Sequence, residues 1–136
     1  MIIGFTQGTF DMFHIGHLNI LRNAKAQCDY LIVGVNSDEL VKEYKRKNAI
    51  VPLAERMDII GAIRFVDQVV ACETLDKVDA QKRLHFQRLF IGDDWKGNSR
   101  WNTTEKEMQQ LGVEVIYLPH TKGTSSTMLR EKLNGY

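Results

Sequence analysis

The chain is 136 residues long, carries a formal net charge of +1 and is 43% hydrophobic. That length supports one hydrophobic core and is too short for two independent ones, so residues 1–136 read as a single domain. The balance of charge leaves no broad basic face for nucleic acid or an anionic membrane, so any anion must be held by a local arrangement of groups.

Five short apolar runs, Ile2–Phe5, Tyr30–Val35, Gln68–Ala71, Arg88–Ile91 and Val113–Leu118, are β-branched or aromatic and read as buried strands. Between them Leu18, Leu21 and Cys28 recur at helical spacing, as do Leu53, Met57 and Ile60, and later Met128, Leu129 and Leu133. Pro52 suits a first helical turn, Asn102 with Glu105 a capping box, and Gly112 the left-handed residue after a helix. Alternating strand and helix predict an α/β fold, a Rossmann-like five-stranded parallel sheet covered by helices. Ligands of such sheets sit beyond the carboxyl ends of the strands. Three irregular stretches, Lys45–Val51, Gly92–Trp101 and Pro119–Thr124, are expected to border one site there.

Cys28 and Cys72 stand in neither a metal-ligand nor a redox spacing, which fits a reducing cytoplasm. The N-terminal residues show no basic leader and no run long enough to span a bilayer, so neither secretion nor membrane insertion is expected.

The segment Gly8-Thr9-Phe10-Asp11-Met12-Phe13-His14-Ile15-Gly16-His17 joins the first strand to the first helix. Unpaired N–H groups at a helix start favour phosphate, and Gly16 presents no side chain to obstruct its approach. His14 and His17 then face the same anion, where two fixed N–H donors stabilise charge gathering on an attacked α-phosphate. The sequence leaves open the protonation state of both rings, a purely structural histidine pair, and membership of a metal site, although zinc would need further ligands. No metal-binding residues are assigned.

Gly8-Thr9-Phe10-Asp11 followed by His14-Ile15-Gly16-His17 resembles the cytidylyltransferase signature. The likeness extends over nearly the whole chain, through Arg64-Phe65-Val66-Asp67, Gly92-Asp93-Asp94-Trp95-Lys96-Gly97 and Gly123-Thr124-Ser125-Ser126-Thr127, and points to the bacterial glycerol-3-phosphate branch of the family. The His-Ile-Gly-His turn also occurs in class I aminoacyl-tRNA synthetases, but this chain has no room for an anticodon-binding region.

The resemblance implies catalytic roles for His14, His17, Lys45, Lys47 and Arg64. It implies nucleotide contacts from Gly8, Thr9, Phe10, His14, Gly16 and His17, from Lys47 and Asp94, and from His120, Thr121, Gly123, Ser125, Ser126 and Thr127. Asp11, Lys45 and Lys77 are the implied acceptor contacts. Each has a plain structural alternative: Lys42, Lys45, Arg46 and Lys47 as a solvated basic loop, Arg64 as a helix-end charge, Lys77 as a helix-face lysine, Asp94 as a cap and a Ser or Thr as an N-cap. Trp95 and Trp101 read as pocket or loop aromatics without a catalytic part. Relatives usually carry arginine where His120 stands; arginine grips phosphate bidentately and stays charged, whereas histidine loses its charge near neutral pH.

The expected reaction is direct displacement: an oxygen of the acceptor phosphate attacks the α-phosphorus of CTP and pyrophosphate leaves, with no covalent enzyme intermediate. Glycerol 3-phosphate is the leading acceptor, with another polyol or alkanolamine phosphate as alternatives. Mg2+ is expected with the triphosphate. The competing readings are an adenylyltransferase acting on a phosphorylated sugar or cofactor precursor and a noncatalytic nucleotide sensor. The resemblance implies a homodimer; neither nucleic acid nor membrane is an expected partner.

Overall fold

The computed structural model describes residues 1–93, 97–123 and 125–134. In chain order the elements are β1 (Ile3–Gly8), α1 (Ile15–Lys25), β2 (Tyr30–Asn36), α2 (Asp38–Lys45), α3 (Leu53–Gly61), β3 (Gln68–Cys72), α4 (Lys77–Leu84), β4 (Arg88–Gly92), α5 (Ser99–Gln110), β5 (Glu114–Leu118) and α6 (Ser126–Asn134). The five strands form one parallel sheet in the order β3-β2-β1-β4-β5. The order reverses direction at β1, so the carboxyl ends of β1 and β4 open a crevice where such sheets take ligands.

Burial on both faces explains why the strands are nearly continuous apolar runs. In β2, Leu31, Val33 and Val35 face α1 and α3 with Leu21, Ala24 and Ile60, while Ile32 joins Phe5, Leu89, Ala80 of α4 and Met108 of α5 on the other face. Each of these side chains larger than alanine contributes about 1.5–3 kcal/mol on leaving water. Gly34 lies where the second face is tightest: a Cβ there would come within 2.6 Å of Cys72 Sγ and 2.9 Å of the Phe5 ring.

Several local expectations shift. β1 extends beyond Phe5 through the polar residues Thr6 and Gln7 to Gly8, because its parallel pairing with β2 continues as far as Gly8 opposite Val35. The proposed capping box at Asn102 is inside α5; the cap is Asn98, whose side-chain oxygen accepts the Arg100 N–H at 3.0 Å. Pro52 is the residue just before α3 rather than within its first turn. Gly112 has a φ of 75° directly after Leu111 closes α5, as its position implied. Lys45 ends α2 instead of opening a loop, and Arg46 caps that helix in the left-handed region.

Candidate active site

The turn between β1 and α1 is held from four sides. Phe10 and Met12 both adopt positive φ, 53° and 49°, a conformation that costs a non-glycine residue about 1–3 kcal/mol and needs its surroundings to enforce it. Between them Asp11 is buried, its carboxylate accepting the Ile50 N–H at 2.8 Å, the Val51 N–H at 2.9 Å and the Arg130 guanidinium at 2.6 Å. Burial alone would raise its pKa, but these donors hold it below the ordinary carboxylate value. Arg56, 1% exposed, donates to the carbonyls of Thr9, Asn36 and Val51 at 2.8 Å each and pairs with Asp38 at 2.6 Å. Ser126 Oγ donates to the Asp11 carbonyl at 2.6 Å, which ties the start of α6 to the same turn.

His14 is the N-cap of α1. Its Nδ1 accepts the Gly16 N–H at 3.0 Å, and His17 Nδ1 accepts the His14 N–H at 3.3 Å. With both Nδ1 atoms accepting, each neutral ring carries its proton on Nε2. The rings stack with centroids 3.8 Å apart, and Phe10 and Phe13 flank His17. Burial, then the charges of His14 and Lys45, push the His17 pKa down to about 3, opposed by Asp11, and burial lowers His14 as well. Both shifts favour neutral rings at neutral pH, each with its N–H donor at Nε2.

A cavity of about 360 Å³ at the carboxyl ends of β1 and β4 is lined by Gly8, Thr9, Phe10, Asp11, His17, Lys45, Gly92, Trp101, His120 and Ser126. Each of the three irregular stretches contributes to it. A neighbouring cavity of about 210 Å³ is lined by Thr9, Asp11, Lys45, Lys47, Ser126, Thr127 and Arg130, so its charge is dominated by cations. His14 Nε2 lies 3.5 Å from Ser126 Oγ at the same place.

The remaining expected site residues divide. Gly16 is buried behind the His14 cap. Thr121 accepts from Asn19 of α1 at 2.9 Å, Ser125 Oγ accepts the Met128 N–H as a helix cap, and Gly123 turns with a φ of 85°. His120 pairs with Asp93 at 2.9 Å, a hydrogen bond that lowers the Asp93 pKa. Lys77 is buried beside a separate groove, outside the 360 Å³ cavity. Asp94, like Trp95 and Thr124, lies outside the described residues.

Arg64, like Lys77, is an expected residue that does not line the cavity. α3 starts where Arg56 reaches the carboxyl ends of β1 and β2 and runs antiparallel to the strands, delivering Arg64 to their amino ends. There it sits over the Phe65 ring, with Arg22 also over that ring and Asp67 on the Leu31 carbonyl. Asp11 lines both cavities and, with both its oxygens accepting from protein donors, also holds the turn.

Arg56 and Arg130 were not singled out from the sequence. Arg56 did leave a signal, a charged residue on the same helical stripe as Leu53 and Ile60. Arg130 follows Ser126 by one helical turn, on the face that meets Asp11.

A Rossmann-like sheet with a mutually capped histidine pair at its first strand-to-helix turn, His17 lining the cavity at the carboxyl ends of β1 and β4, defines a nucleotidyltransferase. A cytidylyltransferase-like family model matches residues 5–132, and the chain belongs to that family. It is 34% identical over 131 residues to glycerol-3-phosphate cytidylyltransferase of Bacillus subtilis strain 168, covering 96% of this chain and 95% of that one. The enzyme of the same name from Staphylococcus aureus strain NCTC 8325 is 33% identical, with 96% and 93% covered. Among solved structures, a lipopolysaccharide core biosynthesis protein from Thermoplasma volcanium GSS1 superposes with a TM-score of 0.75 at 23% identity, over 91% of this chain and 99% of that one, a likeness of fold.

Proposed function

We propose that this enzyme transfers CMP from CTP to glycerol 3-phosphate. The observation that carries the reading is the His14–His17 pair, stacked, neutral and locked so that each ring donates from Nε2. Such donors cost no reorganisation when charge builds on the α-phosphate. An oxygen of the acceptor phosphate, already ionised, attacks the α-phosphorus; the bond to the bridging oxygen breaks and pyrophosphate departs, so no protein nucleophile or base is needed. Lys45 and Lys47 border the cationic cavity, where they suit the triphosphate and the incoming phosphate. Ser126 and Thr127 at the start of α6 suit phosphate oxygens.

The acceptor assignment is supported by the relatives named for glycerol 3-phosphate. Lys77 is its proposed phosphate contact, a buried ammonium whose pKa falls to about 8 chiefly through desolvation. Mg2+ is proposed to arrive with CTP and to neutralise phosphate charge. Among the described residues no three His, Cys, Asp or Glu gather as a metal cage, which suits an ion carried by the nucleotide. A symmetric homodimer and a cytoplasmic setting, the latter in keeping with the free cysteines Cys28 and Cys72, complete the proposal. Among the described residues no helix is long and apolar enough to cross a membrane.

The test incubates the protein with Mg2+, glycerol 3-phosphate and either CTP or ATP, and identifies products by mass spectrometry. CDP-glycerol and pyrophosphate from CTP are expected. Consumption of ATP in place of CTP would overturn the cytidylyl assignment, and CTP binding without turnover across a broad acceptor panel would make the protein a sensor.

A further inference from the structure

Beside the catalytic cavity an open groove of about 740 Å³ runs between α2, α4 and α5. Its inner end is cationic: Lys77 and Arg100 line both the groove and a small cavity that reaches Trp101, and Trp101 in turn lines the catalytic cavity. Lys77 is 7% exposed, yet its ammonium has only the Leu75 carbonyl at 2.9 Å and the Trp101 ring at 5.4 Å, and among the described residues it pairs with no carboxylate. A desolvated ammonium so placed is incomplete without an anion.

The outer part of the groove has the opposite character. Glu43, Glu73, Asp76 and Glu107 line it and are absent from the two inner cavities; Thr103 lines it beside them, and Thr104 reaches the smaller inner cavity as well. Carboxylates accept hydrogen bonds, and the hydroxyls of Thr103 and Thr104, whose own protons go to the Ser99 and Arg100 carbonyls, accept as well, so this lining complements the donors of a chain of hydroxyl groups and repels an anionic tail. It has no ring of aromatic faces of the kind that selects quaternary ammonium groups. Cavities of about 300–1,000 Å³ hold molecules far larger than a three-carbon phosphate.

We infer that the groove is the extended acceptor site, with phosphate at Lys77 and Arg100 and a polyhydroxyl tail among Glu43, Glu73 and Glu107, and that the enzyme accepts polyol phosphates longer than glycerol 3-phosphate. The inference rests on the cytidylyltransferase reading and deepens it by setting the acceptor's chemical class. Bond making and breaking are unchanged: the terminal phosphate oxygen attacks CTP and pyrophosphate leaves.

The experiment compares glycerol 3-phosphate, erythritol 4-phosphate and ribitol 5-phosphate with an equally long alkyl phosphate lacking hydroxyls, following pyrophosphate release from CTP in the intact enzyme and in a Glu73→Gln/Glu107→Gln variant. Both substituted residues are exposed, and a thermal unfolding midpoint matching the parent's reports that the variant is folded. The parent is expected to turn over the longer polyols with kcat/KM at least equal to that for glycerol 3-phosphate. The hydroxyl-free phosphate should be poorer by about tenfold or more, because it leaves polar groups unpaired. In the variant the ratio of ribitol 5-phosphate to glycerol 3-phosphate should fall about tenfold. Turnover confined to glycerol 3-phosphate, or a variant that leaves the ratio unchanged, overturns the extended site and spares the cytidylyltransferase reading. No CTP turnover with any acceptor overturns both.

Discussion

Arg56 in the first turn of α3 and Arg64, three residues past its end, could hardly be more differently placed. Arg56 is sealed at the carboxyl edge of the sheet, with three backbone carbonyls and a carboxylate on its guanidinium, and through Thr9 it supports the strained phosphate turn. Arg64 is exposed at the amino edge, leaning on one aromatic ring. Identical side chains on one short segment therefore do opposite work: one substitutes for missing backbone partners in the interior, and the other covers surface. Charge at a helix end says little until the edge of the sheet it reaches is known.

Replacing Arg56 should give the largest effect. Arg56→Met leaves three backbone carbonyls without their donor, and a loss of about 2–4 kcal/mol is expected from those unsatisfied acceptors, the half-exposed Asp38 adding little. Chemical denaturation measures it, and a loss below 1 kcal/mol would remove Arg56 from the support of the turn. The chemistry of that edge is tested next by His14→Ala and His17→Ala. Each should lower kcat by about 10²–10³-fold, the usual cost of deleting a preorganised donor; unchanged turnover in a folded variant would make the pair structural.

Acid sensitivity is expected at the same edge. The folded pKa of His17 is about 3 against an ordinary 6.5, so below pH 6.5 the unfolded chain binds a proton that the folded chain refuses. Stability contributed by the neutral ring is therefore complete above that point and falls as pH drops from 6.5 towards 3. His17→Gln should flatten the dependence of stability on pH across this window, and a curve parallel to the parent's would contradict the buried neutral ring. At the opposite edge Arg64→Ala should change stability by about 0.5 kcal/mol or less, as exposed sites do. A larger loss, measured in the same denaturation, would mean that the amino edge is covered in the working enzyme.

The sheet was legible because burial on both faces writes itself as short β-branched runs, and the histidine turn because its spacing is local. What escaped was long-range. Arg56 reaches Thr9 across 47 positions and Arg130 reaches Asp11 across 119, and no local pattern pairs them. Asp11 was legible as important, but its part in holding the turn was not, since only the fold shows which donors its oxygens meet. The false capping box at Asn102 has a simpler cause: Asn98 and Asn102 are one helical turn apart, and either suits a cap until the start of α5 is fixed.

The mutual capping of His14 and His17 places a constraint on how this protein can change. The atoms that finish the first helix are the undersides of the very rings whose other edges serve the site, His17 lining the cavity and His14 Nε2 meeting Ser126 at its rim. Serine or aspartate at position 14 would cap α1 at least as well, since those residues lead the ranking of N-caps. Such a replacement keeps the helix and discards the donor, so selection for a sturdier fold pulls against selection for turnover at a single residue. An ancestral or engineered chain drifting towards stability here would lose its chemistry without losing its shape.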